Sequence, residues 1–87
     1  MQLSIYTIRK TIYQGQTNRV TMPTVMGEIT VLDNHEPYVT LLRPGSVQYT
    51  HPTAHGASVI DKESNIEIKG GILEVRPNNE VRILADE

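Results

Sequence analysis

The stretch from residue 73 to residue 83 restricts the fold more than any other part of the chain. With Pro77-Asn78-Asn79 as a three-residue loop, Arg76 faces Glu80 and Glu74 faces Arg82 on one side of a hairpin. Val75 then faces Val81, and Leu73 faces Ile83, on the other side. Opposite charges match on one face and apolar groups on the other, and such pairs contribute ~0.2–1 kcal/mol each. A two-residue loop would set Arg76 against Val81 and Glu74 against Ile83, so the register selects three. Pro77 suits the first turn position and Asn79 the left-handed one. The spacing therefore predicts a solvent-facing charge ladder backed by an apolar face that another layer must cover.

The rest of the chain reads in the same way. Alternation of apolar and polar residues is common, helical periodicity is scarce, and turn residues recur every several positions. Leu3, Ile5 and Thr7 oppose Ser4, Tyr6 and Ile8 in a first strand. Thr11-Ile12-Tyr13 follows, broken by Gly15. Arg19-Val20-Thr21-Met22 is a short strand ended by Pro23. Glu28-Ile29-Thr30-Val31-Leu32 is another, closed by the turn-prone pair Asp33-Asn34. Residues 38–42 are too apolar for simple alternation and are expected to be buried on both faces. Pro44-Gly45 suits the centre of a type II turn, and Ser46-Val47-Gln48-Tyr49-Thr50 resumes the alternation. Residues 51–56 read as a loop. Residues 57–61 and 65–69 read as two short strands around Lys62-Glu63-Ser64. At 87 residues the chain is one domain, residues 1–87. The simplest way to bury so many one-sided strands is an all-β fold, a two-sheet antiparallel β-sandwich of roughly ten short strands. A small closed barrel is the alternative.

Composition then narrows the function. A chain this short buries only about 60–65% of its unfolded surface. Phe and Trp are absent, so Ile, Val, Leu, Met and four Tyr must build the core. The formal charge of −2, with the basic residues scattered, is not the clustered basic face of a nucleic-acid binder. The absence of cysteine excludes disulfides, thiolate zinc sites and a cysteine nucleophile. There is no glycosylation sequon, no signal-peptide pattern at Met1-Gln2-Leu3-Ser4-Ile5 and no apolar run of the ~18 residues a membrane span needs. The reading is a soluble, intracellular chain, associated with a membrane only through a partner.

Catalytic chemistry is not indicated. No nucleophile-elbow pattern surrounds any Ser. Lys69-Gly70-Gly71 lacks the Gly-Lys-Ser/Thr ending of a phosphate loop; Gly70-Gly71 instead lets a strand start in a crowded or bent position. His51 and His55 would share a face on a helix, but Pro52 and Gly56 oppose a helix and no third ligand is near, so no metal site is expected. His35 reads either as a turn residue bonded to local backbone or as a contact on a partner-facing loop. Glu74 and Glu80 are cross-strand partners rather than an acid–base pair. No catalytic residue, cofactor or metal is assigned.

Several short motifs recur in one order: Gly27-Glu28 before an apolar strand, His35 and Pro37 after a turn, then Pro44-Gly45. They are followed by Gly70-Gly71-Ile72-Leu73-Glu74-Val75 with Pro77, and by Leu84-Ala85-Asp86 at the close. Each is weak alone. As an ordered set covering the whole chain it resembles the N-terminal β-sandwich domain of the epsilon subunit of F-type ATP synthases. The chain departs from that pattern in places. Asp33-Asn34 stands where the family usually has Pro-Gly, Lys69 where a small residue is common, and the segment between Gly45 and Gly70 is a few residues longer.

The resemblance implies a non-catalytic central-stalk subunit that binds the gamma subunit and the ring of c subunits. It would couple proton-driven rotation to ATP synthesis, peripheral to the cytoplasmic face of the inner (plasma) membrane. By position, Gly27 and Glu28 would approach the ring, and His35, Pro37 and Thr40 the gamma subunit. The family normally continues into a two-helix hairpin that restrains ATP hydrolysis and in some members binds ATP. Without it, this chain is expected to do neither, whether it is a short subunit or was cut at a domain boundary. The alternative from another class is a free-standing small β module that binds a peptide or small ligand, for example at an exposed sheet edge.

Overall fold

A computed structural model describes residues 1–86. Seven strands are formed: β1 (Gln2–Tyr6), β2 (Thr11–Gln16), β3 (Arg19–Thr24), β4 (Gly27–Leu32), β5 (Tyr38–His55), β6 (Ser58–Arg76) and β7 (Glu80–Ala85). They make one continuous hydrogen-bonded ladder in the order β2-β1-β7-β6-β5-β3-β4. Every pairing is antiparallel except β1 with β7, which is parallel.

The sandwich arises because this ladder folds over on itself. β5 has 18 residues and would reach ~60 Å if straight, yet the longest dimension of the molecule is 41 Å. β5 and β6 therefore bend together, keeping one register from Tyr38↔Val75 to His55↔Ser58. Pro44 and Gly45 stand opposite Lys69 and Ile68 at the bend. β3 follows β5 around it with a break in register, pairing Thr21 with Gln48 but Thr24 with Leu42. The first part of β5 and the last part of β6 lie in one layer with β7, β1 and β2. The remaining parts lie in the other with β3 and β4. Tyr13 of β2 closes the fold by packing on Tyr49 of β5, ring centroids 4.7 Å apart.

Between the layers sits a core in which Leu3, Ile5, Val20, Met22, Val31, Val47, Leu73 and Ile83 have no exposed surface. Inward residues alternate with outward ones along β1, β3 and β7, as the sequence pattern requires. The last hairpin has the expected register, Arg76↔Glu80, Glu74↔Arg82, Val75↔Val81 and Leu73↔Ile83. Asn79 is left-handed (φ 59°), and so is Asn78 (φ 71°), a conformation Asn tolerates better than most residues. Glu80 bonds Arg82 at 2.8 Å and lies 3.6 Å from Arg76, which also reaches Glu74 at 3.4 Å.

The all-β sandwich is as expected, but its strands are fewer and longer than the punctuation suggests. Pro44-Gly45 is no turn: β5 runs through it, and a Cβ on Gly45 would stand only 3.0 Å from the Pro23 ring. Residues 51–56 are not a loop, and residues 57–61 and 65–69 are not separate strands. They form the outer arms of the β5–β6 hairpin, which turns at Gly56 and Ala57. Gly70-Gly71 does not start a strand; it lies inside β6. A Cβ on Gly71 would collide with the Leu84 carbonyl oxygen of β7 and stand 3.0 Å from the Ala85 Cα. Nor does Gly15 break β2, or Pro23 end β3, since both strands continue past them. Pro23 is tolerated in a pair with Glu28 of the edge strand β4. Finally, the apolar run 38–42 is not buried on both faces. Val39 is 65% and Leu41 57% exposed, because a sandwich layer covers only one side of each strand.

Candidate functional site

The pairing pattern gives the sandwich two distinct ends. At one end lie Met1, the loop between β4 and β5, and the turn between β6 and β7. At the other lie the β3–β4 turn, the bends of β5 and β6, and the last residues of β7.

At the first end, the Met1 ammonium donates to Asp33 Oδ1 at 2.6 Å and to the Thr17 carbonyl at 3.0 Å. The Asn34 N–H donates to Asn79 Oδ1 at 2.7 Å, and the Gln2 N–H to the Asn79 carbonyl. The ammonium hydrogen bond, followed by that from Asn79, holds the Asp33 carboxyl below the usual carboxylate range. These bonds fix the loop that carries His35 and Pro37. The His35 N–H donates to the Leu32 carbonyl, and its Nδ1 lies 2.7 Å from the Glu36 carbonyl oxygen. The ring stands 6.4 Å from that of Tyr38. Pro37 borders an open groove of about 410 Å³ with Tyr38, Val39, Glu74, Val75, Arg76 and Pro77. Thr40 sits further along β5, half-buried and paired with Leu73. His35 and Pro37 thus lie at this end, while Thr40 lies further along β5 beside Leu41, whose carbonyl accepts the Val25 N–H of the β3–β4 turn.

The second end presents Gly27 and Glu28. Thr24 is 1% exposed. Its hydroxyl donates to the Gly27 carbonyl at 2.6 Å and accepts the Met26 N–H at 3.1 Å. The Val25 N–H donates to the Leu41 carbonyl of β5. Gly27 has φ 116°, which a side-chain-bearing residue rarely adopts. Glu28 opens β4 with its side chain exposed. Gly27 and Glu28 thus stand at the start of β4 and His35 and Pro37 beyond its end, with Thr40 between these places on β5.

Sequence reasoning did not single out the apolar groups outside the core. Leu41, Ile72, Leu84 and Tyr6 form one cross-strand row on the outer face of the first layer. Val25 and Met26, 49% and 82% exposed, stand at the tip of the β3–β4 turn. The signal for the row was the excess of apolar residues at 38–42, which one-sided burial does not absorb. His51 is held by Ser64, Nε2 to Oγ 2.8 Å. Among the described residues no cluster of metal-ligating side chains occurs.

The class defined here is a small β-sandwich with apolar groups outside the core on the outer face of one layer and at the tip of the β3–β4 turn. The chain belongs to the ATP synthase Delta/Epsilon chain family, as its β-sandwich domain. Residues 1–87 match the family described as ATP synthase, Delta/Epsilon chain, beta-sandwich domain. An ATP synthase epsilon chain of Neisseria meningitidis is 38% identical over 86 residues, covering 99% of this chain and 56% of that protein. One from Aquifex aeolicus is 34% identical, covering 100% and 58%. The chain thus spans little more than half the length of these relatives. Among solved structures, a chain of the Euglena gracilis mitochondrial ATP synthase superimposes with a TM-score of 0.79 at 27% identity, covering 98% of this chain and 49% of that one. A chain from the central stalk and c-ring of the Tetrahymena thermophila enzyme superimposes with a TM-score of 0.78, covering 100% and 63%. At 19% identity it is a likeness of fold.

Proposed function

We propose that this domain is a non-catalytic coupling element of an F-type ATP synthase central stalk. It docks the gamma subunit with His35, Pro37 and Thr40 and the c-ring with Gly27 and Glu28. It thereby helps couple proton-driven rotation to ATP synthesis at the cytoplasmic face of the membrane. The observation that carries this reading is the separation of the two groups. His35 and Pro37 sit at the opposite end of the sandwich from Gly27 and Glu28, with Thr40 between them on β5. A connector between two partners needs two contact zones on a body that does not deform between them. Fully buried side chains from both layers and a single continuous ladder supply that stiffness.

Co-elution with gamma from the same organism on size exclusion is the first test. Stoichiometric co-elution is expected, and failure with folded partners would sink the gamma assignment. Glu28→Lys is expected to weaken association with detergent-solubilised c-rings while leaving the melting temperature within a few degrees of the parent. The side chain is exposed, and surface changes of this kind stay within about 0.5 kcal/mol. Unchanged ring association would remove Glu28 from the contact.

A further inference from the structure

We propose that the open edge of β5 from Val39 to Leu41 receives an extended segment of a partner protein, which pairs there as one further antiparallel strand. On one side β5 is bonded to β6, from Tyr38↔Val75 onward. On the other side β3 reaches β5 only from Leu42 on, where Thr24 faces it. Among the described residues no strand lies beside residues 38–40 on that side. The Leu41 carbonyl points there, since it accepts the Val25 N–H of the β3–β4 turn. In an antiparallel ladder the backbone groups of alternate residues point the same way. The Leu41 N–H and both backbone groups of Val39 therefore face the open side as well.

The side chains favour pairing at the same place. Val39 is 65% and Leu41 57% exposed, and Leu41 continues across the sheet into Ile72 and Leu84. Natural edge strands discourage pairing with charges, prolines and bulges. The outer half of β6 has only β5 beside it and carries Asp61, Lys62, Glu63, Glu67 and Lys69. Val39-Thr40-Leu41 carries no charge, no proline and no break in register. Two N–H donors two residues apart, with one free carbonyl, are matched by an extended backbone. The residue opposite Val39 would exchange two hydrogen bonds with it. The residue opposite Leu41 would offer its carbonyl alone, because the Leu41 carbonyl is already taken. Apolar side chains at both positions of the incoming strand would extend the row of Leu41, Ile72 and Leu84.

The experiment uses the isotope-labelled chain and a synthetic peptide blocked at both ends, Lys-Thr-Val-Thr-Val-Thr-Lys, with NMR following each amide. In the free chain the Val39 and Leu41 amides are expected to exchange with solvent many times faster than those of Thr40 and Leu42, which face β6. With the peptide at millimolar concentration, the Val39 and Leu41 amides are expected to shift and to exchange at least several-fold more slowly. The same peptide N-methylated at both valines is expected to bind roughly tenfold more weakly, the order of effect of losing backbone hydrogen bonds. Val39→Pro removes an N–H that bonds nothing in the ladder, so its melting temperature should stay within a few degrees of the parent's while peptide binding weakens by a similar factor. Equal binding of the N-methylated peptide, or no shift at Val39 and Leu41, would overturn the edge. Shifts of these two amides with chain concentration alone would make a second copy the occupant and overturn the partner segment. Peptide pairing at the edge in a chain that fails to co-elute with gamma would sink the stalk reading and leave the edge in place.

Discussion

The two ends of this sandwich are held by different physics. The Met1 end is closed by side chains and termini from distant parts of the sequence. Met1 bonds Asp33, Asn34 bonds Asn79, Thr17 bonds Thr50, Asn18 bonds Asp61 and Arg19 bonds Glu63. The Gly27 end is shaped by backbone conformation: the Thr24–Gly27 turn, and the two glycines of β6 against β7 and Leu42. The difference teaches where each end is vulnerable. Hydrogen bonds and ion pairs at a surface are individually modest and depend on charge. A backbone approach that only glycine allows is insensitive to charge and intolerant of any side chain.

The hardest test of the contrast is Gly71→Ala. The new Cβ would clash with the Leu84 carbonyl and the Ala85 Cα at a φ of 145°. Strain and overpacking of this kind each cost ~1–3 kcal/mol, so a loss of about 3 kcal/mol or failure to fold is expected. A urea melt near the parent's would show that β6 and β7 can separate cheaply there.

A smaller effect is expected at the Met1 end. The Asp33 carboxyl is depressed in the folded chain by the Met1 ammonium and Asn79. Its stabilising contribution is therefore complete above the unfolded carboxyl value of ~3.9 and is lost as pH falls through the lower folded value. Urea midpoints measured from pH 5 downward should fall less in Asp33→Asn than in the parent. Parallel curves would remove the ion pair from any role in acid stability.

The smallest effect is expected beyond that end, where residues 52–61 project as the tip of the β5–β6 hairpin. Val59 is 72% and Ile60 41% exposed. Removing Pro52, Thr53, Ala54 and His55 with Ser58, Val59, Ile60 and Asp61 keeps His51 paired with Lys62 across Gly56 and Ala57. The Asn18–Asp61 bond is lost, and a change of about 1 kcal/mol or less is expected. A larger loss by thermal melt would mean that the tip supports the body of the sandwich.

Legibility followed locality. The β6–β7 hairpin could be read because partners four to ten residues apart carry matched charges and matched apolar groups, so its register is written in Arg76, Glu80, Leu73 and Ile83. The bends of β5 and β6 could not. Pro44-Gly45 and Gly70-Gly71 carry turn chemistry, and sequence does not reveal that each lies opposite a partner that keeps the ladder intact. Of the candidate site, the types of residue and their grouping into two sets were legible. The placement of His35 and Pro37 at the end opposite Gly27 and Glu28, and the apolar tip of Val25 and Met26, were not, since exposure of a valine or methionine depends on what the rest of the chain fails to cover.

The chain's sequence by itself determined the all-β periodicity, the inward-facing residues of the first strand and the last hairpin, and the family, because these follow from side-chain alternation, short-range pairing and ordered motifs. Only the tertiary structure decided that the ladder is continuous, that β1 and β7 run parallel, and that Asp33 meets the Met1 ammonium 32 positions away. Such contacts are set by how the whole ladder folds over its core, and no local pattern encodes that path.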